Sequence, residues 1–500
     1  MLDRRAFLAA GGSALATLGA SHPLFAQGAP ATRRSVRGMT ANDPDLAAMR
    51  RAVAAMKALP QSDPRNWIRF AEVHRAFCPH GNWYFLPWHR AYILAFERIV
   101  RELSGKADFA LPYWNWTLDR GFPAAFAAGD RNSNPLFHPR PGVEGGLRLS
   151  DDMVGPQVIS RVMMSPDFEA FGSTRPRGQD SLAPQWQRRL GAKTELEFNP
   201  HDGVHQSVGG NMAIVGLSAR DPIFFLHHAN VDRLWSTWNA RGNANSPEPL
   251  WRNFAFNGGI PGLGSNLRVG DLTSPPALGY RYDDDDSPFA ADVALPSGDP
   301  LTEKLRSYRQ FESRLPSRPG GGLQRYALAT GDTIEVAAAE IDQAASRERP
   351  LAIAVPLGRP LGDILGSNAS AQAGDLGDRR YRRYVWAVIR DIEPPLDATT
   401  RVRVFCNGSA LSQRTRLSDP GYATSVSFFG SEHMRQGGTG HDASHGAASV
   451  SIDLTSALAR MAHPRQLRSD RLTVQLLPQC ANSEADVSNI RPRRMEVVIL

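Results

Sequence analysis

The residues with the clearest chemical potential in this chain are histidines that cluster at two places. The 500-residue sequence has only 13 histidines, and more than half of them fall in two short stretches. These are His74, His80, His89, His201, His205, His227 and His228. They lie among tryptophans, phenylalanines and tyrosines, where burying so many imidazoles without partners would be costly. Metal ligation removes that cost, and an all-imidazole donor set suits copper or zinc.

The spacing in the second stretch favours a shared metal site over separate core histidines. His201 and His205 are four residues apart, so on a helix their side chains share one face. A zinc protease would need a glutamate directly after the first histidine of such a pair, whereas Asp202 and Gly203 follow here. The spacing therefore argues against hydrolytic zinc.

Three motifs together closely resemble the type 3 copper proteins, the family of tyrosinases, catechol oxidases and molluscan haemocyanins. The first is His-x(5)-His-x(8)-His, beginning at His74, and the second is His-x(3)-His, beginning at His201. The third is Asp-Pro-x-Phe-x-x-His-His-x-Asn-x-Asp-Arg, beginning at Asp221. The resemblance is strong over residues 35–285 and weaker beyond them. Bacterial tyrosinases with a C-terminal extension are the most similar members.

The resemblance implies a binuclear site of two copper ions, with O2 as co-substrate. Copper A would be held by His74, His80 and His89, and copper B by His201, His205 and His228. His228 is preferred to its neighbour His227 because the family's ligand lies seven residues after the aspartate of the third motif. Asp232 either orients a ligand imidazole through its other ring nitrogen or is an ion-pair partner on the surface of a helix.

Three further positions bear on catalysis by the same resemblance. Glu197 matches the acidic residue that holds a water near copper B in relatives, and it would position or act as a base for an incoming phenol. Asp202 stands where many efficient monophenolases carry asparagine, and Val215 matches the position that shields copper A. The alternatives are a core or capping role for each residue, the helix N-cap being the main competitor at Asp202.

The cysteines are three in number, an odd count. Cys78 precedes His80 by two residues, which matches the Cys–His thioether of some family members and would account for the odd cysteine. A free buried thiol is the alternative. Cys406 and Cys480 lie in the same later region and are candidates for a disulfide, although the sequence does not show it.

The resemblance implies a tyrosinase-type phenol oxidase that ortho-hydroxylates monophenols and oxidises o-diphenols to o-quinones. A catechol or o-aminophenol oxidase without strong monophenolase activity is the nearest alternative, and a haemocyanin-like O2 carrier is an alternative of another class. The expected partners are small phenolic substrates, and the oligomeric state is left open, a homo-oligomer included.

Helices are predicted to position the six histidines that the resemblance assigns to copper. Apolar residues three and four apart predict helices over residues 44–59, 65–77 and 88–103, and again over 201–207 and 227–238. His74, His89 and His228 then fall on separate helices, with His80 in the turn between two of them. A four-helix bundle with long loops would bring all six imidazoles to one buried volume.

The pattern changes after residue 282 to short β-type stretches bounded by Gly, Pro and Asn, which predict an all-β sandwich. The predicted division is a leader over 1–26, a dicopper catalytic domain over 33–285, a linker over 286–320 and a C-terminal lid domain over 321–500. In relatives such a domain inserts a side chain into the active-site entrance, and Phe428 and Phe429 are the candidates here. His433, His441 and His445 form a separate loop cluster, either solvated or able to capture copper.

The N-terminus predicts export. Arg4 and Arg5 open a twin-arginine pattern that is followed by a weakly apolar stretch and a cleavage position after Ala26, which implies a periplasmic or extracellular protein. No apolar run of membrane-spanning length follows the leader. A net charge of +7 is mild for 500 residues and argues against nucleic-acid binding.

Overall fold

The computed structural model describes residues 29–264, 266–283, 300–314, 321–365, 384–397, 399–408, 411–429, 448–461, 468–480 and 489–500. Helices dominate up to residue 283 and strands dominate from residue 321, which confirms the predicted fold class. The leader, residues 286–299 and 315–320 of the predicted linker, and the loop with His433, His441 and His445 lie outside the described residues. Among the helices that are described, none is both long and apolar enough to cross a bilayer.

Five helices carry or support the clustered histidines. They are α1 (Pro44–Ala58), α2 (Trp67–Phe77), α3 (Phe85–Ser104), α4 (Asp202–Val208) and α5 (Ile223–Ala240). A π-helical turn, Glu197–His201, leads directly into α4. Short helical turns fill the long connections: Ala124–Ala127, Pro141–Glu144, Asp151–Val154, Pro156–Met163, Phe168–Phe171, Pro184–Arg188, Gly210–Ala213, Val215–Ser218, Pro249–Arg252, Val269–Leu272 and Pro276–Leu278.

Local sequence explains where the helices of the first histidine group begin and end. The Asn66 side chain accepts hydrogen bonds from the backbone N–H groups of the first turn of α2, at 3.1 and 3.2 Å, as an N-cap does. Extended backbone at Cys78, immediately before Pro79, stops the same helix. Gly105 ends α3 in the left-handed conformation, with φ of 73°. The chain therefore turns between α2 and α3, and this turn carries His80.

The core of the helical region is aromatic and lies between α2, α3 and α5. Phe96 stacks on Phe225 with ring centroids 3.7 Å apart, and Phe70 stacks on Tyr92 at 4.6 Å. These rings are buried, and stacked aromatic pairs add to the stability gained from burial alone. The three helices are therefore packed through large rigid rings directly beside the histidines.

The C-terminal region is a sandwich of two antiparallel sheets. Its strands are β3 (Gly321–Ala327), β4 (Thr333–Glu340), β5 (Leu351–Pro356), β6 (Val385–Ile392), β7 (Arg401–Cys406), β8 (Tyr422–Val426), β9 (Ala448–Asp453), β10 (Arg471–Gln479) and β11 (Arg494–Ile499). One sheet has the order β5-β10-β7-β8 and the other β3-β4-β11-β6-β9. Two short strands of the helical region, β1 (Ala31–Arg33) and β2 (Tyr280–Tyr282), pair in parallel.

Alternation along β6 shows how the five-stranded sheet is buried on both faces. Ala387 and Ile389 join the core between the two sheets, whereas Trp386 and Val388 face the opposite side. On that side they pack with Leu305 and Tyr308 of a further helix, α6 (Pro300–Arg314). The residues 300–314 were expected to belong to the linker, and the structure shows instead a helix that covers a sheet face.

Candidate metal centre

The six predicted ligands converge on one buried volume. His74 lies on α2, His80 in the turn after it, and His89 on α3, while His201 ends the π-helical turn. His205 lies on α4 and His228 on α5. Every one of the six side chains is almost completely buried.

Hydrogen bonds fix the tautomer of three of these imidazoles. Nδ1 of His89 faces the carbonyl oxygen of Phe85 at 2.8 Å, and Nδ1 of His205 faces that of Met212 at 2.8 Å. A carbonyl oxygen only accepts, so each Nδ1 carries the proton and each Nε2 keeps its lone pair. Nδ1 of His201 likewise faces Oδ1 of Asp202, at 2.9 Å. This is the arrangement that orients a histidine for metal binding.

Two of the Nε2 atoms so fixed each lie close to a ring nitrogen of another histidine. Nε2 of His89 lies 3.4 Å from Nε2 of His74, and Nε2 of His205 lies 3.3 Å from Nε2 of His228. Nε2 of His201 is buried and has no hydrogen-bond partner. A buried acceptor without a partner is costly, and a cation bound there would remove that cost.

The two groups of three adjoin. The ring of His89, from the first group, stacks on the ring of His228, from the second, at 4.3 Å and 6°. His80 and His201 also face each other across the site, with ring centroids 5.8 Å apart. The all-imidazole chemistry of both groups fits a pair of copper ions.

Burial holds these imidazoles in the neutral form that metal binding requires. It lowers the pKa of His89 to about 3, against the bond to Phe85, which raises it. The pKa values of His201, His205 and His228 are also lowered, first by burial and then by neighbouring imidazoles. Neutral imidazole is the ligating form, so the site needs no deprotonation step at neutral pH.

The structure places the fourth imidazole of the second group, His227, beside the predicted ligands. Its ring nitrogen lies within 4.8 Å of the ligand atoms of His201, His205 and His228. Trp116, however, donates its Nε1–H to Nδ1 of His227 at 3.2 Å. An accepting Nδ1 leaves the proton on Nε2, so His227 offers no lone pair to a metal. This contact supports the choice of His228 as the ligand.

Two buried carboxylates lie next to the second group. Glu197 accepts hydrogen bonds from the backbone N–H of Gly81 at 2.7 Å and from the hydroxyl of Ser173 at 2.6 Å. Burial raises the pKa of Glu197, although nearby Lys193 opposes the shift. Burial likewise raises the pKa of Asp202 to about 7, again against Lys193. Both carboxylates are thus buried on the chain segment that carries His201.

Lys193 and Ser173 belong to this arrangement, and nothing in the sequence singles them out except the spacing of four residues between Lys193 and Glu197. Nζ of Lys193 donates to Oδ2 of Asp202 at 2.6 Å and lies 3.9 Å from Oε1 of Glu197. Ser173 has a φ of 74°, a conformation that is uncommon outside glycine and is found at functional sites.

Val215 opens the short helix Val215–Ser218, which packs against α2, the helix of His74. It is buried in the same hydrophobic core as α2. This position is compatible with the predicted shielding of copper A and equally with a packing role.

A side chain from the C-terminal region covers the second histidine group. The ring of Phe429 stacks on His205 with centroids 4.0 Å apart and an angle of 16°, and it meets His80 and His201 edge-on at 5.7 Å. Phe428, the other candidate, is buried in the core of the sandwich instead. The two adjacent rings therefore pack into different cores, Phe428 into that of the sandwich and Phe429 into that of the helical region.

Polar contacts hold the C-terminal region against the helical one. Asp152 accepts hydrogen bonds from Arg401 at 2.9 Å and from Ser425 at 3.1 Å. Burial alone would raise the pKa of Asp152, but Arg401 and Ser150 lower it to about 2. Thr424 adds a bond to Glu195 at 2.8 Å. The contact is therefore charged and hydrogen-bonded as well as apolar.

Asp232 orients no imidazole, and it is an ion-pair partner in the core instead of on a helix surface, so the first predicted role is wrong and the second is right in kind but not in place. It accepts from Nε of Arg90 at 2.5 Å and from the hydroxyls of Tyr280 at 2.7 Å and Tyr282 at 2.6 Å. Arg33 of β1 adds a contact at 3.2 Å. These bonds use both carboxylate oxygens and tie α5 to α3, β1 and β2.

The cysteines divide as follows. The sulfur of Cys78 lies within 4.8 Å of the ligand atoms of His74 and His80, and burial raises the pKa of its thiol to about 12. The thioether to His80 remains a prediction that this proximity permits. The candidate disulfide between Cys406 and Cys480 is wrong, because Cys406 is a buried thiol and Cys480 donates to Asp397 at 2.7 Å.

Comparison with known proteins agrees with this geometry. The family model "Common central domain of tyrosinase" matches residues 52–189 and, in an overlapping match, residues 150–241. A tyrosinase from Hahella sp. (strain CCB-MM4) is 32% identical over 223 residues, which cover 41% of this chain and 47% of that protein. The chloroplastic (+)-larreatricin hydroxylase of Larrea tridentata is 30% identical over 305 residues, or 53% of this chain and 52% of that protein. The chain thus matches about half the length of these curated relatives.

Two solved structures share the fold over nearly the whole chain. A latent aurone synthase (polyphenol oxidase) superposes with a TM-score of 0.65 at 19% identity, covering 95% of this chain and 91% of that one. Latent apple tyrosinase superposes with a TM-score of 0.64 at 20% identity, covering 96% and 99%. The likeness therefore includes the C-terminal sandwich as well as the helical region. The family match over residues 52–241 includes the converging imidazoles, and together with the relatives named above it supports a place for this chain among the type 3 copper proteins, a family with a binuclear copper site that both histidine groups fit.

Proposed function

We propose that this protein is a dicopper phenol oxidase that uses O2 to ortho-hydroxylate monophenols and to oxidise o-diphenols to o-quinones. The observation that carries the proposal is the convergence of six buried imidazoles, three of them held with Nε2 lone pairs facing a common volume. We assign His74, His80 and His89 to copper A and His201, His205 and His228 to copper B. When bound, the copper pair would supply the redox chemistry through which O2 takes electrons from a phenol.

The residues of the chain would contribute orientation and proton transfer. Glu197 is held by Gly81 and Ser173 and carries a raised pKa, which suits a base that accepts a phenolic proton or positions a water to do so. Oxidation of a catechol removes two electrons and two protons, and two catechols reduce one O2 to two waters. A base beside the second histidine group is therefore needed in either reaction.

The second candidate is a catechol or o-aminophenol oxidase with weak monophenolase activity. Asp202 favours it, because this residue stands where efficient monophenolases carry asparagine and its carboxylate is engaged by both His201 and Lys193. The same site serves both candidates, so substrate choice alone separates them.

We further propose that residues 33–285 form the catalytic domain and residues 321–500 a lid that keeps the enzyme latent. Phe429 supports this view, since its ring covers His205, where an incoming phenol would have to pass. The twin-arginine leader and export to the periplasm or exterior belong to the same proposal. Mass spectrometry of the exported protein should find its N-terminus at Gln27.

One set of measurements tests the function. Metal analysis should give two coppers per chain, and aerobic O2 uptake should be measured with phenol, catechol and 2-aminophenol. We expect uptake with all three, fastest with catechol. Turnover of catechol without any turnover of monophenols would select the second candidate, and reversible O2 binding without turnover of any of them would indicate a carrier.

A further inference from the structure

We propose that Lys193 is a positioning residue that ties the docking of the C-terminal sandwich to the orientation of the ligand His201, acting through Asp202. The inference rests on the proposed copper site. It concerns a lysine that contacts none of the six ligands directly. Its side chain bonds to a carboxylate of the site, and its main chain bonds to the C-terminal sandwich.

The side chain of Lys193 is buried between the two carboxylates of the site. Nζ bonds Oδ2 of Asp202 at 2.6 Å, and the other oxygen of Asp202 faces Nδ1 of His201 at 2.9 Å. Oε1 of Glu197 lies 3.9 Å from the same ammonium group. An ammonium group here offsets two buried negative charges that would otherwise be costly. Lys193 thus fixes the carboxylate that in turn fixes the imidazole.

The main chain of Lys193 is bonded to the sandwich on both sides. Its N–H donates to the carbonyl of Ser449 at 2.9 Å, and its carbonyl accepts from the N–H of Ser451 at 2.9 Å. Lys193 therefore forms a bridge to Val450 of β9, at the open edge of the five-stranded sheet. Docking of the sandwich fixes the backbone from which the Nζ group reaches Asp202.

Asp202 receives a second hydrogen bond, and this one comes from the sandwich. The backbone N–H of Phe429, the residue whose ring covers His205, donates to the Asp202 carboxylate. The carboxylate is thus held by Lys193 and Phe429 while it holds His201. Groups that orient a ligand imidazole tune metal affinity even though they do not touch the metal. Undocking the sandwich would remove the Phe429 bond and free the Lys193 backbone together.

The first test measures how fast a copper chelator removes metal from the full-length holoprotein. Lys193→Met keeps the length of the stem and removes the charge, and we expect it to lose one of its two coppers about tenfold faster than wild type. Lys193→Arg should restore most of the retention. Lys106→Met is the matched control, because Lys106 is also a shielded, ion-paired lysine but bonds Asp45 and Asp108. It should behave as wild type.

A double-mutant cycle shows whether Lys193 acts through Asp202. If it does, the effects of Lys193→Met and Asp202→Asn on copper loss are not additive in free energy. Additive effects, or equal copper loss from Lys193→Met and wild type, would overturn the inference while leaving the proposed function intact. Wild-type protein that holds no copper would overturn both this inference and the proposed function.

The second test addresses docking through hydrogen–deuterium exchange at β9. Coupling between two sites is reciprocal, so copper binding must strengthen docking if docking strengthens copper binding. We expect slower exchange at Ser451 in the copper-loaded than in the metal-free wild type, and a smaller difference in Lys193→Met. Identical exchange with and without copper in wild type would overturn the link to docking.

Discussion

The ring of Phe429 lies parallel to the imidazole of His205, with centroids 4.0 Å apart and an angle of 16°. One ring comes from the C-terminal region and the other from α4, within the second histidine group. A substrate ring that approached this group would compete for the face that Phe429 occupies. The pair therefore links the accessibility of the site to the position of the C-terminal region.

Replacement of Phe429 by alanine should raise activity toward catechol in the full-length protein by about tenfold or more, because binding is limited by the fraction of molecules that are open. Steady-state O2 uptake measures this. Phe429→Leu, which keeps much of the bulk, should give a smaller rise. Unchanged activity in Phe429→Ala would show that the ring does not limit entry.

Replacement of Glu197 by glutamine should lower kcat for monophenols about a hundredfold, as expected for loss of a general base. Glutamine retains the shape: its Oε1 can still accept from the N–H of Gly81, and its Nε2 can donate to the hydroxyl oxygen of Ser173. Copper content should stay at the wild-type level, which separates a proton-transfer role from a structural one. Wild-type monophenolase activity in this variant would remove Glu197 from the proposed mechanism.

Replacement of Asp232 by alanine should lower the free energy of unfolding by about 3 kcal/mol or more, because it leaves buried Arg90 without its carboxylate partner and buried Arg33 with Glu97 alone. Urea unfolding of the metal-free protein measures the change. Glu303→Gln, which removes an exposed ion pair with Arg306, should cost less than about 1 kcal/mol. A selective loss of copper from Asp232→Ala without destabilisation would restore the imidazole-orienting role.

The metal-free protein should become less stable as the pH falls below about 6.5, the ordinary pKa of histidine. In the folded state burial lowers the pKa of His89 and of His227 to about 3, so between these values the unfolded chain binds more protons. The contribution of these histidines to the free energy of unfolding is thus fully present above the pKa they have in the unfolded chain, and it is lost as the pH falls toward 3. Thermal midpoints across this range would show it, and a flat profile would contradict it.

The sequence predicts the helices well because their apolar residues recur every three to four positions. It also places the six imidazoles on the correct elements, since the family motifs determine which histidines belong together. The structure then shows the separation of Phe428 from Phe429, which depends on how the chain leaves β8. No local pattern contains that information.

Other elements carry misleading local signals. The strand β4 contains three consecutive alanines, which favour helix, and it becomes a strand through pairing with β3 and β11. The helix α6 follows an acidic, turn-rich run, and that local signal is typical of a linker. Its burial depends on the face of a sheet whose strands lie far along the chain. Lys193 cannot be recognised as a site residue from the sequence for the same reason, because the groups that it bonds come together only after folding.

The backbone bridge between Lys193 and Val450 also affects how the sandwich would behave once it is cut from the helical region. The strand β9 ends the sheet, and in the intact molecule the helical region satisfies hydrogen-bonding groups along its outer side. A sandwich released by cleavage would expose that side as an unpaired edge. Unprotected edges recruit further strands, so the excised fragment is expected to self-associate. Activation by cleavage would then be irreversible, because an aggregated sandwich could not return to cover the site.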